Sequence, residues 1–210
     1  MESNVKPLVF IDTETTDLSP DKGALISIAA IFVGGKSDGE SLVLKCKPHD
    51  GAIVNPFALQ ANGYTKEEIS SWNCPRETAA TFVYWITERL DNGELCHPAG
   101  WNYNFDDRFM RSWLSRNHSP TWYGNTFTDT PCDVMNLFTI QYPQFKSDER
   151  FGNKKLTTVY RGITGKDLAN AHTEYADALA TAHVFFHLAQ ESNSPSLAPY
   201  LTSKVSPYNQ

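Results

Sequence analysis

Only four cysteines, Cys46, Cys74, Cys96 and Cys132, are spread through 210 residues, with no C-x-x-C pair and no histidine at zinc-finger spacing. That pattern argues against a structural zinc site and fits free thiols in a reducing compartment, so a cytoplasmic location is expected. No apolar run reaches the roughly 20 residues that a spanning helix needs. The opening "MESNVKPLVF" lacks both a basic start leading into a long apolar stretch and a small-residue cleavage site, so neither membrane nor leader is expected. An excess of positive charge is missing too: the formal net charge of -6 argues against coating nucleic acid through a large basic surface. It leaves open an enzyme that holds metal in carboxylates and acts on an anionic substrate. Internal repeats and low-complexity tracts are also absent.

What is present is globular composition, 40% hydrophobic and 20% charged, enough for a sizeable core. A single domain over residues 1–192 is expected, followed by a Pro- and Ser-rich tail, 193–210, that wraps the surface or frays. Three apolar runs, Pro7 to Thr13, Ala24 to Val33 and Ser41 to Lys47, read as strands joined by Gly-, Pro- and Asp-rich connectors short enough for hairpins. Helical spacing then governs "RETAATFVYWITERLD", "NYNFDDRFMRSWLSRN", "KLTTVYRGI" and "EYADALATAHVFFHLAQES", with "HPAGW" a short strand between the first two. "TFTDTPCDVMNLF" suggests another strand and a helix capped by Asp133. Strands first and helices interleaved later imply an α/β fold, a mixed sheet whose first three strands are antiparallel, with helices packed on it.

Three groups of acids stand out. In "LVFIDTETTDL", Asp12 and Glu14 are two apart, so within a strand they share a face while Ile11 and Thr13 point the other way. Paired carboxylates at the end of an apolar strand repel, and a divalent cation with oxygen ligands would offset them; a solvated turn is the alternative. In "GWNYNFDDRFM", Asp106 and Asp107 lie on different faces of a helix, so at most one faces a common site; a plain acidic first turn complementing the helix dipole is the alternative. In "HTEYAD", His172 stands before the long last helix, where an imidazole can accept a proton, and Asp177 lies in its first turns; a cap or surface role is the bland reading of the histidine.

Together and in order, "FIDTETT", "NYNFDDRFM" as N-x-x-F-D-x-x-F-[ML] and "HTEYAD" as H-x-x-x-x-D make the chain resemble the DEDDh 3′-to-5′ exonucleases, of RNase H-like fold, over Leu8 to about Phe186. The resemblance implies two Mg2+ or Mn2+ ions held by Asp12, Glu14, Asp106 and Asp177, with His172 as general base. It also implies a single-stranded nucleic acid with a free 3′ end as substrate, released as nucleoside 5′-monophosphates. By the register of Asn102 and Phe105 it selects Asp106 over Asp107. Trp101 departs from relatives, which often carry Gly or His there.

The same resemblance places Thr13, Thr15, Leu18, Asn62, Asn102 and Phe105 near the terminal nucleotide, with Phe105 equally readable as helix-face core. Basic residues in "KSDERFGNKKL" and at Arg161 and Lys166 read as a solvated, charge-mixed loop or as a weak steering patch. A homodimer and a polymerase or repair partner on another chain stay open. Two other classes compete: a haloacid-dehalogenase-like phosphatase starting at D-x-D-x-T, for which Glu14 has the wrong length, and a nucleic-acid-binding module without catalysis.

Overall fold

The computed structural model describes residues 5–209; the first four residues of "MESNVKPLVF" and the last of the tail lie outside the described residues. Five strands form one mixed sheet in the order β3-β2-β1-β4-β5. β1 (Leu8–Thr15), β2 (Leu25–Val33) and β3 (Ser41–Lys45) are antiparallel neighbours, as the short connectors require. β4 (His97–Gly100) runs parallel to β1, and β5 (Cys132–Asp133) parallel to β4. Parallel pairing needs a crossover, supplied between β3 and β4 by α1 (Pro56–Asn62), α2 (Lys66–Ser71) and α3 (Pro75–Glu88). After β4 come α4 (Asn104–Asn117) and α5 (Trp122–Thr126); after β5, α6 (Val134–Gln141), α7 (Leu156–Thr164) and α8 (Glu174–Ser192). Among the described residues, no helix is long and apolar enough to cross a membrane.

Strand alternation divides the core in two. Leu8 and Phe10 of β1, with Ala29 and Ile31 of β2, pack against Ala178, Ala182 and Phe185 of α8. Val9 and Ile11, with Ile28, Ala30 and Phe32, face the other way onto Ala79, Phe82 and Ile86 of α3 and Phe109, Met110 and Trp113 of α4. A fully buried aliphatic or aromatic side chain contributes about 1.5–3 kcal/mol. These two faces therefore hold α8 and α4 against opposite sides of β1.

β1 runs longer than the expected stretch ending at Thr13, because antiparallel pairing to β2 continues through Glu14 opposite Ser27 and ends at Thr15 after a register irregularity. Both acids are thus strand residues, and the solvated-turn alternative falls away. α5 was not expected; it is a five-residue turn that buries Tyr123, too short to show a periodic pattern. The tail packs on the body: Tyr200 is buried and donates its hydroxyl to the Lys6 carbonyl at 2.7 Å, and the Lys204 amide donates to Asp38 Oδ2 at 2.8 Å.

Candidate active site

β1 and β4 pair only from Leu8 opposite His97 to Phe10 opposite Ala99. Beyond that point the neighbouring chain turns away through Asn102, whose left-handed backbone (φ 59°) an asparagine tolerates better than most residues, and enters α4. Gly100 permits the turn, because a Cβ there would lie 2.8 Å from the Tyr103 ring and 3.0 Å from the Ile11 carbonyl oxygen. The amide of Thr13 is thereby left without a strand partner on this side. Asp106 fills the gap: its Oδ1 accepts from the Thr13 N–H at 3.0 Å and from the Thr13 hydroxyl at 2.7 Å.

Asp12 and Glu14 continue the Phe10 face toward α8, where Asp177 lies in the first turns. Asp106 arrives from the opposite helix layer and is only 4% exposed. The four acids feel one another. Asp12 is pushed well up from its ordinary value by burial first, then by Asp106, Glu14 and Asp177. Burial and then Glu174, Asp177 and Asp106 raise Glu14 to about 8, against a weaker downward pull from Lys45. Burial raises Asp106 to about 7 despite the two Thr13 donors. Asp177 is raised by burial while His172 pulls the other way.

Among the described residues, no hydrogen bond reaches the carboxylates of Asp12 or Glu14, and Asp177 Oδ1 is buried without a partner. Unpaired buried carboxylates are costly, and a hard cation with oxygen ligands is what would relieve them. The donor set therefore fits a divalent metal. The same side chains do not form a closed cage, since among the described residues no three acid, histidine or cysteine groups already stand at metal-ligand spacing.

His172 is exposed, two residues before α8, with a left-handed backbone (φ 68°) that is uncommon away from glycine. Thr173 behind it caps the helix, its hydroxyl accepting from the Ala176 amide. Of the other expected contacts, Leu18 projects freely at 78% exposure, whereas Thr15 gives its hydroxyl to the Asp17 carbonyl at 2.9 Å. Asn62 donates from Nδ2 to the Thr15 carbonyl at 2.9 Å, tying the end of α1 to the end of β1. Asn102 is exposed; Phe105 is half-buried, its ring 5.0 Å from that of Phe109, so it joins the helix-face core while keeping an open edge.

Asp107 points elsewhere. It accepts from Arg111 Nε at 2.9 Å and lines a neighbouring polar cavity of about 330 Å³ with Tyr123, Asp129 and Asp133. Trp101, the departure from relatives, donates its indole N–H to the Lys154 carbonyl at 3.2 Å, fixing the basic loop to the body. Within that loop Arg150 is held by Asp148 at 2.8 Å, as a charge-mixed segment would be.

Sequence reasoning missed Glu174. It is 3% exposed and adds to the repulsion on Asp12 and Glu14. The only signal was a carboxylate inside "HTEYAD", which reads equally well as a surface complement to the helix dipole.

Residues 9–185 match the Exonuclease family, and the chain belongs to that family. Ribonuclease T of Actinobacillus pleuropneumoniae serotype 5b (strain L20) is 29% identical over 118 residues, 51% of this chain and 53% of that protein. E. coli exonuclease I bound to a dA16 oligonucleotide superposes with a TM-score of 0.72 at 24% identity, covering 93% of this chain and 43% of that one. The zinc-bound form of the E. coli exonuclease I complex with single-stranded DNA gives 0.73 at 24% identity, covering 93% and 42%. The chain thus spans about half the length of the ribonuclease and less than half of each exonuclease I chain. These superpositions agree with the mixed, helix-flanked RNase H-like sheet.

Proposed function

We propose that this protein is a divalent-metal-dependent 3′-to-5′ exonuclease that shortens single-stranded DNA or RNA from a free 3′ end and releases nucleoside 5′-monophosphates. The observation that carries the reading is the convergence, at the open end of β1, of four mutually destabilised carboxylates, one with a buried oxygen lacking any protein partner. In its ionised form such a cluster is costly unless positive charge, such as a bound divalent cation, completes it. Membership of the Exonuclease family supplies the reaction class and sets aside the phosphatase. Family members generally need a divalent metal, and the oligonucleotide-bound exonuclease I supports a single-stranded substrate.

Asp12, Glu14, Asp106 and Asp177 would hold Mg2+ or Mn2+, two per site. When bound, the metals supply charge neutralisation at the scissile phosphate and lower the cost of ionising a water. The chain's own residues do the rest. Thr13 fixes Asp106, so this ligand does not have to find its place on each turnover. His172, exposed beside Asp177, takes a proton from the attacking water. Leu18 wedges against the last bases, Asn62 holds the end of β1 under the terminal sugar, and the open edge of Phe105 offers a stacking surface.

The test uses 5′-labelled DNA and RNA oligomers of matched sequence, with Mg2+ or with chelator. A ladder shortening from the 3′ end only with metal is expected. Binding without turnover on either polymer would overturn the enzyme in favour of a binding module, and released inorganic phosphate would revive the phosphatase. Sizing chromatography with and without an oligomer tests the homodimer.

A further inference from the structure

Glu174 opens α8, where an exposed carboxylate would suffice to complement the helix dipole. Instead it is the only buried residue from Tyr160 through Asp177. The segment that carries His172, exposed or half-buried elsewhere, is therefore anchored most deeply at this one side chain. Its Oε1 accepts from the Ser27 hydroxyl of β2 at 2.7 Å, and its Oε2 from the Tyr64 hydroxyl at 3.2 Å. Lys45 of β3 stands 3.9 Å from Oε1, with its ammonium 4.5 Å from the Tyr64 ring centre and 5.2 Å from that of Trp72.

Two parts of the site meet at this carboxylate. Ser27 lies opposite Glu14 in the β1–β2 register, so one oxygen fixes the start of α8 to the strand pair bearing Glu14. Tyr64 follows Asn62 by two residues in the turn between α1 and α2, so the other oxygen fixes the loop that sits under the end of β1. We propose that Glu174 is a positioning residue, whose two hydrogen bonds clamp the His172 segment and the Asn62–Tyr64 loop into one frame. Nucleotide placement and proton removal are thereby set together. This rests on the exonuclease reading above and deepens it.

The test compares Glu174→Ala, Glu174→Gln and Tyr64→Phe on a 5′-labelled oligomer with Mn2+, and titrates Mn2+ into each by calorimetry. Glutamine keeps both contacts, since its carbonyl accepts from Ser27 and its amide donates to the Tyr64 oxygen, while removing the charge. Glu174→Ala is expected to lower kcat/KM by about 10- to 100-fold, the usual cost of losing a group that orients ligands. Glu174→Gln recovers most of that loss, and Tyr64→Phe raises KM more than it lowers kcat. Wild-type kinetics in Glu174→Ala, or equal impairment in the Gln and Ala variants, would overturn the clamp; the second result would assign the effect to charge alone. If Glu174→Ala does not fold cooperatively, Ser27→Ala takes its place, with a lower kcat expected and an unchanged one overturning the proposal. If the unmodified protein cleaves no oligomer, the exonuclease reading fails, and calorimetry still decides the clamp. Mn2+ affinity weakened in Glu174→Ala and recovered in Glu174→Gln supports it; affinity equal in the unmodified protein and these two variants, or equally weak in the two, removes it.

Discussion

Raising the pH of the metal-free protein from 5 to 8 should destabilise it through Glu14. Burial and the neighbouring acids move this carboxyl from 4.5 to about 8. Between those values the folded state holds a proton that the unfolded chain has released, so stability falls as pH rises through the window and the full cost is present above about 8. Carried between pH 5 and pH 8, the displacement is worth about 3.5 kcal/mol, or about 7–14 °C in Tm for a chain of this size. Because Asp12 and Asp106 titrate with it, these figures describe the Glu14 contribution and are not to be added to theirs.

The assay is thermal unfolding in chelator at both pH values, for the unmodified protein and for Glu14→Gln. Half-buried His183, held below its ordinary value by desolvation, works in the opposite direction by adding stability as pH rises, but both proteins share it and it cancels in the difference. Mg2+ at pH 8 should restore the unmodified protein, because a ligand that binds only the folded state stabilises it, and should act much more weakly on the variant. Parallel Tm profiles for the two proteins, or equal rescue by Mg2+, would refute the account of these acids as a cluster awaiting a cation.

Asp106→Ala should abolish metal-dependent cleavage while Asp107→Ala leaves most of it, since Asp107 is bonded to Arg111 and turned away; equal losses in the ladder assay would show the wrong acid was chosen. Thr13→Val removes a hydroxyl bonded to a carboxylate, worth about 1.5–3 kcal/mol, so Tm and kcat should both fall, with Thr13→Ser retaining both in melting and kinetic measurements. His172→Ala should cost roughly 10²- to 10⁴-fold in kcat with little change in KM; an unaffected kcat in steady-state assays would remove the general-base role.

The framework was legible where one periodicity ruled a long run. β2, the start of β1 and α8 could be read from continuous apolar runs or helical spacing, because both strands are buried on both faces and α8 turns an apolar face onto the sheet. The acids were legible as residue types, and their pairing in order through the chain indicated a family. What could not be read depends on contacts far apart in sequence. Glu174 is buried by Ser27, 147 positions away, and by Tyr64, 110 positions away. The hydroxyl of Thr13, expected to face substrate, is already used by Asp106 across 93 positions. α5 and the docking of the tail rest on a few side chains finding pockets, such as Tyr200 beneath the Lys6 carbonyl, with no local pattern to announce them.

The amide of Thr13 also makes this protein's chemistry observable without any substrate. Its single proton is held by a carboxylate in place of a neighbouring strand, so its rate of exchange with deuterated water records whether Asp106 stands in position. That one backbone signal, followed by magnetic resonance as metal is added or as Asp106 is replaced, reads the readiness of the site directly, separate from any step of turnover.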